Sequence, residues 1–367
     1  MGSLPLQLGT VVLQPTTLCN MNCSYCYLPD RRIKAFMSDD VVARVAEVVG
    51  RQRKRTYVLW HGGEPLATGV ARFERHLERF RRSVSQGICQ HSLQTNATLI
   101  NDYWCRLFKS HGFKVGVSVD GDQALNAARA FWNGRPAYSA AARGIACLRK
   151  FDIPFGVIAV VNSANVASPL DFYEGLLSLN PVSISINVEE AEGANVGHSH
   201  VRDGDTRAFW MGLYQAWRAN PQVPIRQFSD VVSIMRLVSR GGMPKLEKER
   251  NLYPTIDVNG NVFLLSPEFA AAPAHVRHTF MVGNILQDDL EEIIQKSRTH
   301  RYVAEFFVGV ERCRETCEYF LFCGGGQASN KFYETGNLMA TETRYCRNAK
   351  IYPAETVLNA LEGGITS

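Results

Sequence analysis

The sequence predicts an α/β protein: a partial (β/α)6 TIM-like barrel over residues 1–244, followed by a small Cys-rich C-terminal domain over 245–367. Three observations carry that expectation. Apolar runs of strand length alternate with helical patterns through the first two-thirds of the chain, and strands in series with helices imply a parallel sheet. The alternation stops at the punctuation Gly241-Gly242-Met243-Pro244. Seven of the ten cysteines fall in two clusters, one directly behind the first strand and one beyond residue 312.

The strand runs are 11–13, 57–60, 92–94, 115–119, 155–161 and 183–188. Between the first two, Ser38 is placed to cap a helix whose first turn carries Asp39 and Asp40. Further helices cover about 71–85, 100–111, 138–151 and 169–179. Right-handed crossovers curl six such units into an open barrel, with chemistry expected at the C-terminal ends of the strands. Helical stretches at 205–219 and 228–240 close this domain. Beyond them, 255–265 reads as a hairpin with Asn259-Gly260 as a type I′ turn.

The composition is ordinary for a globular enzyme: 367 residues, 46% hydrophobic and 20% charged. A net charge of +5 reads as a solvated surface rather than a nucleic-acid footprint, and the basic runs at 51–55 and 79–82 lie on helix faces. No run approaches the ~20 apolar residues of a membrane span. The first ten residues lack the charged and apolar regions of a signal peptide. A cytoplasmic protein with no nucleic-acid or membrane partner is expected. In a reducing cytosol, clustered cysteines read as metal ligands, and the isolated Cys89, Cys105 and Cys147 as buried structural thiols.

The first cluster, Cys19-Asn-Met-Asn-Cys23-Ser-Tyr-Cys26, spells C-x3-C-x2-C. Three thiolates on one short loop ligate three irons of a [4Fe–4S] cubane and leave the fourth iron open. S-adenosylmethionine (SAM) can chelate that iron through its amino and carboxylate groups, and an electron passed into its sulfonium releases a 5′-deoxyadenosyl radical. A zinc site is the alternative; it is usually built from four ligands, and no fourth Cys or His lies nearby. The second cluster is Cys313-x3-Cys317-x5-Cys323-Gly-Gly-Gly, with Cys346 further on. Four thiolates make a closed [4Fe–4S] site, an electron carrier or a staple, with a four-cysteine zinc knuckle as the alternative. The glycine run lets backbone N–H groups approach cluster sulfurs.

The first loop resembles the signature of the radical SAM superfamily, and His61-Gly62-Gly63-Glu64-Pro65 at the end of the second strand resembles that family's GGEP motif. The resemblance implies a barrel of radical SAM type and a set of SAM contacts. Tyr25 would pack near the adenine. Gly62 and Gly63 would let backbone approach the methionine moiety, Glu64 would pair with its ammonium group, and Pro65 completes the motif. Asn96 ends a segment, Gln94-Thr95-Asn96, near SAM. Ser118 would sit on the ribose side, with Asp120 in the same fourth-strand motif. Arg129 would hold the SAM carboxylate, and Val161 would border the adenine. Asp120 reads equally as a helix cap, and His61 as a structural residue.

The C-terminal segment resembles the SPASM extension of radical SAM peptide maturases. Cys317 to Gly326, Asn330-Lys331, and Glu342-Thr343-Arg344-Tyr345-Cys346-Arg347 resemble its cyclophane-forming, glycine-rich-repeat (Grr) branch. Residues 257–266 carry no cysteine, so one auxiliary cluster is expected where the usual SPASM domain has two. The implied substrate is a ribosomal precursor peptide with a leader. The implied reaction joins an aromatic ring carbon to the Cβ of a residue two positions on, with a flavodoxin- or ferredoxin-type reductant as electron source. Restoring aromaticity needs an electron acceptor and a base. Asp257, Glu189, Glu190 and Glu192 lie near strand ends or the hairpin, and Asp257 and Glu190 are favoured as catalytic residues. Thioether formation, epimerisation and sulfatase-type formylglycine maturation use the same scaffold and stand as alternatives.

Overall fold

In a computed structural model of the chain, residues 8–196, 201–243 and 252–365 are described. The apolar runs form six parallel strands, β1 (Thr10–Leu13), β2 (Thr56–Trp60), β3 (Cys89–Thr95), β4 (Lys114–Ser118), β5 (Phe155–Val161) and β6 (Ser183–Val188), each hydrogen-bonded to its neighbour in chain order. Side chains alternate along each strand. In β5, Phe155, Val157, Ala159 and Val161 are buried in the core, whereas Ile158 and Val160 face the concave side.

Local signals behave as the sequence indicates. Ser38 Oγ accepts from Val41 N at 3.3 Å and caps the helix Asp39–Gly50. The stretch predicted as one helix over 71–85 breaks into Val70–Glu78 and Arg81–Ser85, because Phe80 turns inward against Trp60 and His91. Strand β3 begins three residues earlier than predicted. His91 is buried there as a strand residue, its Nδ1 accepting from Trp60 Nε1 at 3.2 Å, and a polar residue on the buried face hides the strand pattern.

The C-terminal region adds to the same sheet. It holds strands β7 (Thr255–Ile256), β8 (Asn261–Phe263) and β9 (Met281–Asn284). β7 runs parallel to β1, and β8 and β9 follow antiparallel, giving one nine-stranded sheet in the order β6-β5-β4-β3-β2-β1-β7-β8-β9. The predicted boundary falls at the edge of the described residues, with Pro244 outside them, and the sheet is continuous between the strands on either side.

The hairpin turn is not type I′. Gly260 has φ +82°, but Asn259 keeps an ordinary φ. The turn closes through Gly260 N to Asp257 O at 3.0 Å, and Asp257 N then reaches Asn261 O at 3.0 Å. That is a type I turn followed by a left-handed glycine bulge.

The last helix, Tyr352–Ile365, packs back onto Asp203–Ala219 and Arg226–Ser239, and Trp210 Nε1 donates to Asn348 O at 2.6 Å. The edge of β6 is covered: Ile225 bridges Ile184, and the Gln227 carboxamide bonds both backbone groups of Ile186. All ten cysteines are free thiols. Cys89 and Cys105 are buried as expected, Cys147 is half-buried, and helix packing brings the sulfurs of Cys105 and Cys147 to 3.4 Å. Among the described residues no helix is long and apolar enough to cross a membrane.

Candidate active site

The loop after β1 is pinned on two sides. Cys19 N donates to Arg31 O at 2.8 Å, while Asn22 N and Ser24 N donate to Ala130 O and Ala128 O at 2.7 and 3.0 Å. Trp132 Nε1 closes on Cys19 O at 2.8 Å. Cys19, Cys23 and Cys26 then line a cavity of about 360 Å³ at the C-terminal ends of the strands. Among the described residues no three His, Cys, Asp or Glu side chains converge as around a single metal ion. The three thiols ring a space, as ligands of different irons in a cubane must. Asn96 Nδ2, 3.9 Å from Cys19 Sγ, and Met21 N, 3.4 Å from it, are donors to sulfur. The donor set fits a three-thiolate cluster with one iron open.

Gly62 and Gly63 both line the cavity, and they also make a close contact behind it. A Cβ on Gly63, whose φ is +58°, would lie 2.6 Å from Leu18 O and 2.8 Å from Thr16 O. Only glycine lets the loop after β2 seat on the backbone leading into Cys19. A Cβ on Gly62 would meet Gln14 Cγ at 3.0 Å. Glu64 and Pro65 stand behind the cavity wall rather than on it. The Glu64 carboxylate accepts from Thr95 Oγ1 (2.7 Å), Asn96 N (2.8 Å) and Leu66 N (3.1 Å), so its oxygens are committed to the protein. Burial pushes that carboxyl above its usual range.

Tyr25, Asp120 and Arg129 form one buried network. Tyr25 OH donates to Asp120 Oδ2 at 2.5 Å and accepts from an Arg129 guanidinium N–H at 2.6 Å. Asp120 Oδ1 accepts from Val160 N at 2.9 Å and lies 4.0 Å from the guanidinium. Burial raises the Asp120 carboxyl and Arg129 opposes it. Asp120 therefore ties β4 to β5 and to the cysteine loop; it caps no helix, and Asp122 takes the next turn's N–H groups. Arg129, Ser118, Asn96 and Tyr25 all line the cavity, and Gln94 Nε2 donates to Ser118 Oγ at 2.7 Å. Val161 does not: strand alternation turns it into the core, and Val160 faces the cavity instead.

At the far end of the cavity Glu190 and Glu192 share one amide. Asn330 Nδ2 donates to Glu190 Oε2 at 2.5 Å and to Glu192 Oε1 at 2.9 Å. Burial pushes the Glu190 carboxyl up to about 8, and raises Glu192 and Glu268 as well. His61, 3.3 Å from Tyr27 OH, is lowered to about 4 by burial, so its ring is neutral. Asp257 is not part of this site. Its carboxylate accepts from Asn259 N (2.9 Å), Asn261 N (3.0 Å) and Arg277, and organises the hairpin turn. Glu268, Gln327 and Arg226 line the cavity without a motif to mark them, and Tyr345 joins them from the C-terminal cysteine motif. They come from segments that only the fold brings to the barrel mouth.

A second cavity, about 240 Å³, is lined by Cys313, Cys317, Cys323 and Cys346. Cys313 and Cys317 close the helix Arg301–Thr316, with Cys317 N on Cys313 O at 2.9 Å. After Cys323 three glycines in succession have positive φ, 66°, 97° and 78°, which aims Gly326 N at Cys323 Sγ at 3.1 Å. Thr343 Oγ1 lies 3.2 Å from Cys346 Sγ. The set fits a closed four-thiolate group. Tyr345 lines the first cavity and its neighbour Cys346 the second.

A family profile described as the Radical SAM superfamily matches residues 13–176. The uncharacterized protein sll1766 of Synechocystis sp. is 33% identical, over 96% of this chain and 92% of its own length. The serine-type anaerobic sulfatase-maturating enzyme of Klebsiella aerogenes is 34% identical over 54% of this chain and 51% of its own length, so that similarity spans about half of each protein. Among solved structures, native anSMEcpe with bound AdoMet and Cp18Cys peptide superposes with a TM-score of 0.79 at 21% identity, covering 97% of this chain and 98% of that one, a likeness of fold. With the three-thiolate loop, the cavity beyond it and the matched profile in agreement, the chain belongs to the radical SAM superfamily and is an enzyme that uses a [4Fe–4S] cluster and S-adenosylmethionine.

Proposed function

We propose that the chain is a peptide maturase that joins an aromatic ring carbon to a Cβ within a ribosomally made precursor, closing a three-residue cyclophane. One observation carries this reading: a single cavity runs from Cys19, Cys23 and Cys26 to the carboxylates of half-buried Glu190 and Glu268 and buried Glu192, with the four-thiolate site one residue beyond Tyr345. When bound, the first group supplies a 5′-deoxyadenosyl radical and the second, a single auxiliary [4Fe–4S] cluster, supplies an electron acceptor.

The chain's own residues do the rest. Arg129 offers guanidinium N–H groups for a carboxylate, and Tyr25 and Asp120 hold it in place. Ser118 and Asn96 present polar atoms on the same wall. The peptide loses a hydrogen atom at Cβ, that carbon bonds to the ring, and the ring then gives up one electron and one proton. Glu190, with a carboxyl near 8, is poised to take that proton. The leader-bearing peptide reaches the cavity from the open barrel mouth, and a flavodoxin- or ferredoxin-type protein supplies the first electron.

A second reading, sulfatase-type formylglycine formation, is favoured by the similarity of half the chain to a sulfatase-maturating enzyme. It needs the same parts, since a serine side chain loses two hydrogens to become an aldehyde. Anaerobic co-expression with a precursor rich in aromatic residues, followed by mass spectrometry, separates the two. Loss of two hydrogens per ring, with fragments linked across three residues, supports the crosslink. An untouched aromatic peptide, together with a hydrazide-reactive aldehyde on a sulfatase peptide, sinks it.

A further inference from the structure

Lys331 is a charged residue where charge is costly. It is fully buried, its Nζ stands 3.6 Å from Cys313 Sγ, and the Phe306 ring lies 5.5 Å away. Lys331 stands behind Cys313, and a second lysine, Lys350, lines the four-cysteine cavity itself, with its Nζ 5.9 Å over the Tyr345 ring. Neither residue is among those that line the SAM end of the first cavity, and Lys331 has no part in the substrate proton; Lys350 also opposes the rise of the Glu190 carboxyl. Four thiolates around an oxidised [4Fe–4S] core leave that group net negative, and reduction adds one more negative charge. In a buried site a nearby fixed cation favours the more negative state, because the attraction is little screened. Glu318 and Glu342 also line the cavity, but Glu342 is paired with Arg347 at 2.5 Å.

The geometry points to Lys331 and Lys350 as a pair of positioning charges that raise the reduction potential of the four-thiolate cluster, making it a better acceptor of the electron leaving the substrate. This rests on the proposed role of that site as an iron–sulfur electron acceptor. Lys331 is the stronger partner, since it is buried and directed at a cluster sulfur. Its amide neighbour Asn330 holds Glu190 and Glu192, so one helix turn presents a charge to the cluster and a hydrogen-bond donor to the carboxylates.

The test is an EPR-monitored redox titration of the anaerobically reconstituted full chain, with iron and zinc counted in each sample. K331M shifts the midpoint of the auxiliary-cluster signal to lower potential, K350M shifts it less, K331R leaves it near wild type, and the SAM-cluster signal does not move. If K331M sheds its iron, K350M and K331R carry the comparison. Iron retained with an unshifted midpoint in the methionine variants overturns this inference alone. Zinc in place of iron at the four-cysteine site of the wild type overturns both it and the proposed electron acceptor.

Discussion

The two cysteine sites answer opposite requirements with the same side chain. The first takes three thiols from one eight-residue loop and faces them into a roomy cavity walled by strand ends, with no fourth thiol present. The second gathers four thiols from a helix end, its cap, a short helix that ends on the glycine turn and a short distant helix, and wraps them in backbone beside Lys350. An open iron needs a mobile small ligand and space for it; a closed cluster needs every position filled. Loop spacing alone achieves the first, whereas the second requires tertiary structure.

The largest effects separate the sites. Cys23→Ala removes one of only three thiolates, so 5′-deoxyadenosine formed on chemical reduction falls to background. Cys323→Ala leaves 5′-deoxyadenosine formation in place while the modified peptide disappears and the iron count drops. Product analysis by chromatography, with metal counting, checks both. Equal loss of SAM cleavage in the two variants would erase the functional distinction between the sites.

Glu190 tests the region between them. Glu190→Gln removes the base, and product formation falls by about 100-fold or more while SAM cleavage persists. In the wild type the carboxylate forms as pH rises through about 8, so the peptide-modification rate rises over that range and the variant lacks the rise. Stability runs the other way. The folded state holds this proton between the ordinary carboxyl range and about 8, so unfolding free energy falls as pH increases across that window. Thermal melts of Glu190→Gln therefore fall less steeply with pH than those of the wild type, by on the order of 1 kcal/mol in stability. A parallel pH profile in the two proteins would remove Glu190 from the base role.

The same contrast explains what could be read in the chain itself. The barrel strands are visible where they are short apolar runs, less so in β3 where polar His91 sits on the buried face, and the first cluster is visible because its ligands are local. Within those strands alternation decides orientation, and one residue of register moved Val161 off the cavity and put Val160 on it. The glycine motif is recognisable, yet its reason lies in the backbone oxygens of Leu18 and Thr16, which no local pattern encodes. Glu268 and Gln327 are silent because they join the wall from segments beyond residue 260, across the continuous sheet, and Tyr345 is visible only as part of the second cysteine motif, not as a wall of the first cavity. The hairpin was legible as a hairpin, but not its parallel docking on β1.

Asp257 gives the smallest expected effect on chemistry and the cleanest check on that reading. Both it and Glu190 are carboxylates from the neighbourhood of strand ends, Asp257 buried and Glu190 half-buried, and sequence alone favours them alike. Their surroundings differ. Glu190 opens onto the cavity and shares one amide with Glu192, whereas Asp257 accepts from two backbone N–H groups, the Asn261 side chain and Arg277. A carboxylate so committed has no free lone pair for a substrate proton. Asp257→Ala strands those N–H groups and the guanidinium and loses about 1–3 kcal/mol of stability by chemical denaturation. The folded fraction keeps its SAM cleavage and most of its peptide modification, because β7 is still paired to β1 along its other edge. Loss of modification at unchanged stability would return the base assignment to Asp257 and place the substrate against the hairpin.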